Sequence, residues 1–252
     1  MITLKRQDEV ELMRQAGRRL AEVLDHLAGM VAPGVTTSAL DRAANREIRR
    51  RDSFPGFLGY EGFPKHLCIS VNDQVVHGIP DGREIVDGDI VSLDCGLVYQ
   101  GWWADAGLTV ACGEVDDEAA RLIRVTREAL DLGIAAAIPG NHLGDIGHAV
   151  QSHVEQSGFS IVRGYTGHGI GRDMHEAPEV PNHGSPGKGI EIRPGLCLAI
   201  EPIVNEGDPG TLIEPDGWTV ITRDQRRSCY FEHTVAIGQD GVEVLTRLPE
   251  AV

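Results

Sequence analysis

The sequence IVSLDCGLVYQGWWADAGLTV, residues 90–110, contains two strand-like runs on either side of a turn. If Tyr99 and Gln100 form the loop, Asp94 and Asp105 face each other across the hairpin. If the loop lies one residue further along, the two aspartates are diagonal neighbours on one face. A buried carboxylate is costly unless it is paired or binds a cation. The flanking apolar side chains therefore favour a cation between the aspartates over a pair that is exposed to solvent.

Two further stretches carry candidate ligands for such a cation. His168 and His175 lie in GYTGHGIGRDMHEAP, residues 164–178, which is too rich in glycine to be helical and allows close backbone approach. Glu201 and Glu232 are single acids inside the apolar runs CLAIEPIV and YFEHTVAI. A lone histidine is more often an ordinary core or surface residue than a ligand. For each glutamate alone, an edge-strand or outward-facing position is an equally good interpretation.

Taken together, these side chains predict a metal site. The two aspartates, the two glutamates and one of the histidines make five donors around one cleft, which suits two divalent cations. A carboxylate-rich set without thiolates favours manganese, iron(II), cobalt or zinc. Two ions about 3.5–4 Å apart can share a carboxylate and a hydroxide, which provides a nucleophile at neutral pH.

The rest of the chain predicts an α+β fold. Residues 8–31 have the apolar spacing of an amphipathic helix, and a second helix that Thr37 or Ser38 can cap follows the break at Pro33-Gly34. Runs of strands after runs of helices indicate helices packed on one face of a largely antiparallel sheet. The strand-like runs are residues 66–71, 74–78, 89–98 and 101–111, then 160–163, 196–204, 218–222 and 230–237.

The helical regions also indicate an internal duplication. A second Pro-Gly break, at Pro139-Gly140, lies 106 residues after the first and again separates two helical runs. At that offset apolar residues match: Leu40 with Ile146, Ala43 with Ala149 and Ile48 with Val154. We therefore predict one domain over residues 1–252 with an internal pseudo-repeat, roughly residues 8–112 and 118–246.

Composition and charge exclude several classes of partner. The chain has 252 residues and a formal net charge of −15, which argues against DNA or an anionic membrane as the partner. No apolar run is long enough to span a membrane. The five cysteines are scattered along the chain, and no two of them form a C-x-x-C motif. We therefore expect each to be a small buried side chain, and we expect a reducing, cytoplasmic location.

The motifs around these residues resemble those of the type I methionine aminopeptidases, which have the pita-bread metallopeptidase fold. The similarity extends from about Leu4 to Thr246. It is carried by the paired aspartates and by five segments: VNDQVVHGIP (71–80), GHGIGRDMHEAP (167–178), AIEPIV (199–204), DGWTV (216–220) and FEHTV (231–235). The resemblance implies a pseudo-two-fold pair of α/β halves with a curved antiparallel sheet covered by helices.

The resemblance also implies a set of metal ligands and a reaction. One metal ion takes Asp105, His168, Glu201 and Glu232, and the other takes Asp94, Asp105 and Glu232. A metal-bridging hydroxide attacks the first peptide carbonyl of a nascent protein or peptide. The N-terminal methionine is removed during protein maturation when the second residue is small.

Further roles are implied for single residues. Glu201 resembles the residue that accepts the proton of the water, and His175 the residue that stabilises the developing oxyanion. His77 resembles a residue that contacts the next amide, although from sequence alone it is only a turn residue. Residue 2 is Ile, which is not small, so we expect this chain to keep its own Met1.

A methionine pocket is implied as well, although ordinary core packing explains the same side chains without the resemblance. Aromatic, thiol and thioether groups suit the flexible, polarisable methionine side chain. Phe57, Gly96 and Met174 depart from patterns common in relatives and leave the pocket shape open. The implied pocket residues are Tyr60, Phe63, Cys68, Met174 and Trp218.

Two alternatives remain at this point. An X-Pro aminopeptidase or prolidase of the same fold would share the five ligands, and a binding protein of that fold would have lost the metals. The resemblance favours a monomer. Transient docking on the ribosome would need a local basic patch such as Arg46, Arg49, Arg50 and Arg51.

Overall fold

The computed structural model describes residues 2–248, so Met1 and the prediction about its retention lie outside the described part. Over residues 2–248 the chain forms four α-helices, a 3₁₀ turn at Tyr60–Gly62 and fifteen strands. The helices are α1 (Gln7–Ala28), α2 (Thr37–Arg50), α3 (Asp117–Ala136) and α4 (Leu143–Gln156). The first eight strands are β1 (Phe54–Pro55), β2 (Cys68–Val71), β3 (Gln74–Val76), β4 (Ile90–Tyr99), β5 (Trp102–Ala111), β6 (Ser160–Ile161), β7 (Gly167–Gly169) and β8 (Glu176–Val180). The others are β9 (Cys197–Ile200), β10 (Ile203–Asn205), β11 (Thr211–Ile213), β12 (Val220–Thr222), β13 (Ser228–Tyr230), β14 (Glu232–Ile237) and β15 (Val242–Val244).

The predicted elements are present, with three local corrections. The run 196–204 is two strands, β9 and β10, because Pro202 has no N–H to donate to a ladder. The run 230–237 is likewise divided between β13 and β14. The cap of α2 is Thr36, whose hydroxyl accepts the N–H of Ala39 at 3.3 Å, and not Thr37 or Ser38.

Antiparallel pairing joins most strands into one large sheet. Nine strands belong to it, in the order β1-β4-β5-β14-β9-β7-β8, with β2 also paired to β4 and β15 to β14. Two three-stranded sheets, β13-β10-β6 and β11-β12-β3, complete the strand pairings of residues 2–248.

The β4–β5 hairpin adopts the second of the two predicted registers. Tyr99 pairs with Trp102, which leaves Gln100 and Gly101 as the two-residue loop. Their φ angles of 50° and 77° are those of a type I′ turn, whose twist matches that of a hairpin. Asp105 therefore pairs with Gly96, and the two aspartates are diagonal neighbours on one face.

Two helix pairs cover the large sheet. Apolar residues of α1 and α2, such as Leu20 and Leu40, pack with Leu93 of β4 in one cluster. Residues of α3 and α4, such as Leu122, pack with Leu198 of β9 in another. The predicted α+β class is thereby confirmed, while the division into two repeats stays a prediction.

Two further expectations concern the whole chain. All five cysteines are buried and none forms a disulfide, as expected for small core side chains. Among the helices within residues 2–248, none combines the length and the apolar character that a membrane span requires.

Candidate active site

The strand register brings three carboxylates to one face of the large sheet. Gly107 of β5 pairs with Asp94 of β4 on one side and with Glu232 of β14 on the other. Asp105 lies two residues before Gly107, and alternate residues of a strand point to the same face. The side chains of Asp94, Asp105 and Glu232 therefore share a face.

Gly107 leaves room on that face for an aromatic ring. A Cβ atom at this position would lie 2.1 Å from the ring of Tyr230, so only glycine fits without movement. The Tyr230 hydroxyl donates a hydrogen bond to Glu232. Tyr230 was not predicted from the sequence, although a glycine inside a strand often marks such a close approach.

Two further strands bring in a histidine and a fourth acid. His168 of β7 pairs with Ala199 of β9, which in turn pairs with Thr234 of β14, so His168 and Glu232 lie on the same face. Glu201 follows β9 directly, and its Oε1 lies 3.7 Å from Nε2 of His168.

The tautomer of His168 follows from its surroundings. Nδ1 lies 2.9 Å from the carbonyl oxygen of Gly169, which can only accept a hydrogen bond. Nδ1 therefore carries the proton, and Nε2 keeps the lone pair that a metal ion requires. Burial, together with the neighbouring His175, lowers the pKa of His168 to about 4, so the imidazole is neutral at pH 7.

Some carboxylate oxygens of the cluster are buried and lack a hydrogen-bond partner. One oxygen each of Asp94, Asp105 and Glu232 is buried and has no hydrogen-bond partner. Burial raises the pKa of Asp105 to about 7. Burial and the charge of Asp105 raise the pKa values of Asp94, Glu201 and Glu232 well above the usual range.

This donor set fits divalent cations. One ligand atom each of Asp105, His168 and Glu232 lies within 4.8 Å of the other two. A buried carboxylate that is not paired with Lys or Arg stays ionised only beside another source of positive charge, and oxygen and imidazole ligands suit divalent transition metals.

One cavity contains every residue that the sequence predicted for the site. Its volume is about 190 Å³. It is lined by the five candidate metal ligands, Asp94, Asp105, His168, Glu201 and Glu232, by the histidines His77 and His175, and by the pocket residues Tyr60, Phe63, Cys68, Met174 and Trp218. Its wall also includes Phe57, Glu61, Tyr165, Thr166 and Tyr230, which the sequence analysis did not assign to the site.

The two other histidines approach the cluster from different sides. The His175 ring centre lies 4.3 Å from that of His168, and its Nδ1 is 2.8 Å from the Tyr60 hydroxyl. His77 has a φ of 59°, which is uncommon for a residue with a side chain, and its ring lies edge-on to Tyr165 and Trp218. Burial lowers the pKa of both histidines, which favours their neutral forms.

The apolar wall is formed by one small cluster. Phe57, Phe63, Cys68 and Met174 are buried together, and the Phe63 ring meets Trp218 edge to face at 5.2 Å. Two of the residues that depart from the common pattern are in contact: a Cβ atom at Gly96 would lie 2.5 Å from the Phe57 ring. The large residue at 57 thus occupies the space that a side chain at 96 would need.

Comparison with known proteins identifies the family. A sequence model of metallopeptidase family M24 matches residues 11–239. The chain belongs to metallopeptidase family M24. Membership in M24 makes it a peptide-bond hydrolase that uses divalent metal ions, in agreement with the carboxylate and histidine cluster.

Individual relatives within M24 extend the match to almost the whole chain. A methionine aminopeptidase of Clostridium perfringens is 49% identical, and the alignment covers 98% of this chain and 99% of the relative. The crystal structure of the methionine aminopeptidase of Thermotoga maritima superposes with a TM-score of 0.97 at 42% identity, covering 98% of this chain and 100% of that one. The predicted pita-bread fold is confirmed.

An X-Pro peptidase of known structure has the same fold as this chain. The Xaa-Pro dipeptidase of Bacillus anthracis superposes with a TM-score of 0.76 at 21% identity. The match covers 99% of this chain and 63% of the dipeptidase.

Proposed function

We propose that this protein is a methionine aminopeptidase that removes the N-terminal methionine from nascent proteins and peptides when the second residue is small. One observation carries the proposal: the five candidate metal ligands open into the same cavity of about 190 Å³ as the apolar cluster around Phe63 and Met174. A metal-dependent peptidase site and a pocket that suits a thioether side chain are thus adjacent.

The metal ions would be held by side chains from five strand regions. Asp105, His168, Glu201 and Glu232 would hold one ion, and Asp94 would hold the other together with Asp105 and Glu232. Cobalt, manganese, iron(II) and zinc all suit this donor set. When bound, such ions supply a Lewis acid for the carbonyl oxygen and lower the pKa of water towards 7.

The protein side chains have separate roles in this proposal. Glu201 accepts the proton of the attacking water, beside His168. His175 donates from Nε2 to the oxygen of the scissile carbonyl, since its Nδ1 can accept the hydrogen bond of the Tyr60 hydroxyl. His77, half-buried in the cavity wall, contacts the next amide of the substrate.

The substrate pocket in this proposal is lined by a small set of side chains. Met174 and the thiol of Cys68 face the methionine thioether with soft, polarisable groups. Tyr60, Phe63 and Trp218 provide aromatic walls, and the edge-to-face contact between Phe63 and Trp218 supports a fixed shape.

The proposal also covers the partners, the oligomeric state and the location of the protein. N-termini of polypeptides are the substrates, and we propose a monomer in the cytoplasm, which the five free thiols support. Docking on the ribosome would use Arg46, Arg49, Arg50 and Arg51. Arg50 and Arg51 already form ion pairs with Glu47 at 3.0 and 2.8 Å, which reduces the charge that this patch offers.

A peptidase assay tests the proposal directly. Peptides beginning Met-Ala and Ala-Pro are incubated with the protein after chelation and after addition of each divalent metal. We expect cleavage of Met-Ala alone, and only with metal. Cleavage of Ala-Pro alone would support an X-Pro peptidase, and no cleavage under any metal would support a binding protein.

A further inference from the structure

A buried ion pair connects the start of the chain to the turn that carries His175. The Nζ atom of Lys5 lies 2.6 Å from Oε2 of Glu176, and the exposed fractions of the two side chains are 2% and 13%. The backbone of Lys5 is also fixed, since its N–H donates to the carbonyl of Gly195 at 2.7 Å.

The other carboxylate oxygen of Glu176 organises the turn itself. Oε1 accepts the backbone N–H of Arg172 at 2.8 Å and that of Asp173 at 3.4 Å. The turn also packs on the ion pair, because a Cβ atom at Gly171 would lie 2.5 Å from Oε1 and 2.6 Å from Cε of Lys5. Glu176 thus bonds back to the start of a segment at whose end it stands, and Met174 and His175 lie between.

The charge of Lys5 is what permits this arrangement. A largely buried carboxylate that loses its cation is left uncompensated, which costs far more than the pair contributes. Glu176 would then turn towards water and release the two N–H groups of the turn. A displacement of about 1 Å at a reacting group can lower a rate about 10²-fold.

We propose that Lys5 is a positioning residue, whose ammonium holds the 171–176 turn through Glu176 and so sets the place of His175 in the active site. The proposal rests on the proposed aminopeptidase function. Within that function, it makes the segment before α1 part of the catalytic architecture.

The test compares Lys5→Met with the matched control Arg14→Met. Arg14 also forms an ion pair between the N-terminal region and a distant strand, at Glu243 of β15, but its side chain bonds to Glu243 and Glu11 and not to the turn. We expect Lys5→Met to lower kcat on a Met-Ala peptide by 10- to 100-fold with unchanged metal content, and Arg14→Met to change it less than 3-fold.

A double-variant series separates positioning from general stability. If Lys5 acts through His175, Lys5→Met costs less than 3-fold in the background of His175→Ala. Glu176→Gln alone also lowers kcat, because it leaves the ammonium unpaired. Lys5→Met combined with Glu176→Gln removes both charges and is expected to be more active than either single variant.

Hydrogen exchange supplies a readout that does not depend on activity. The backbone amides of Arg172 and Asp173 should exchange faster in Lys5→Met than in the wild type. In Arg14→Met their exchange rates should be unchanged. Wild-type exchange protection of the turn together with a wild-type kcat in Lys5→Met overturns the proposal. It is also overturned if Lys5→Met lowers kcat as much in the His175→Ala background as it does alone. If Lys5→Met does not fold, the same readouts on Glu176→Gln decide. A wild-type protein that fails to cleave Met-Ala peptides refutes the function instead, and the exchange result still stands.

Discussion

Replacing Gly96 by alanine is expected to destabilise the protein through a single contact. The added Cβ would lie 2.5 Å from Cε1 and 3.1 Å from Cδ1 of Phe57, whereas normal contacts begin near 3.4 Å. The ring cannot easily retreat, because Phe57 is only 5% exposed and the N–H of Gly56 is bonded to the carbonyl of Gly96 at 2.8 Å. Overpacking of this kind costs about 1–3 kcal/mol.

A smaller residue at position 57 should remove most of that cost. Leucine lacks the ring atom nearest to the new Cβ, so Gly96→Ala in the background of Phe57→Leu should cost less than about 1 kcal/mol. Urea denaturation of the wild type, the two single variants and the double variant measures the coupling. The thermal midpoint should follow at roughly 2–4 °C per kcal/mol.

Gly82→Ala is the matched control. Nothing lies within 4 Å of a Cβ atom there, so its unfolding free energy should change by no more than about 0.5 kcal/mol. Strict additivity of Gly96→Ala and Phe57→Leu would refute the argument that the two departures from the common pattern compensate each other.

Four further results are expected. Asp105→Ala should abolish activity and lower the bound metal measured by mass spectrometry; near-normal turnover with added metal would contradict the assigned ligands. His175→Ala should lower kcat about 10²–10³-fold with metal retained, and an unchanged kcat would remove it from the oxyanion role. The natively expressed protein should retain Met1 before Ile2 in intact-mass analysis, and a chain beginning at Ile2 would argue against a preference for small second residues. After chelation, Asp105 of the folded protein stays protonated up to about pH 7, because burial raises its pKa from 3.8 to about 7. In the unfolded chain the same group is already ionised in this range. The contribution of Asp105 to the free energy of unfolding is therefore fully present below about pH 4 and is lost as the pH rises to about 7. The stability gap between metal-loaded and chelated protein should therefore widen from pH 5 to 7 in urea titrations, and a constant gap would contradict the burial of this carboxylate.

The composition of the site was predictable because its residues are chemically conspicuous. Asp94 and Asp105 are like charges in an apolar hairpin, and a bound cation accounts for both. The register of that hairpin was not predictable, since both loops keep the aspartates on one face. The positive φ angles of Gln100 and Gly101 select one of them.

Contacts between distant parts of the chain had no sequence signal. Lys5 and Glu176 are 171 residues apart, and each reads locally as an ordinary surface charge. In the sequence, Phe57 and Gly96 stand out only because they depart from the pattern common in relatives. The contact between the Phe57 ring and Gly96 becomes visible only when β4 lies beside the segment that follows β1. Pattern analysis finds residues of unusual chemistry, whereas complementarity of shape requires the fold.

The arrangement of the large sheet has a consequence for biosynthesis. Asp94 and Asp105 are made early, on β4 and β5, while the other three proposed ligands follow on the β7, β9 and β14 side, with Glu232 last. Because β14 pairs directly with β5, the proposed metal centre cannot be complete until Glu232 has been translated. The same order makes the connection between Ala111 and Asp117 a suitable place to divide the chain into two fragments. Neither fragment would carry all five proposed ligands, so peptidase activity would measure their association.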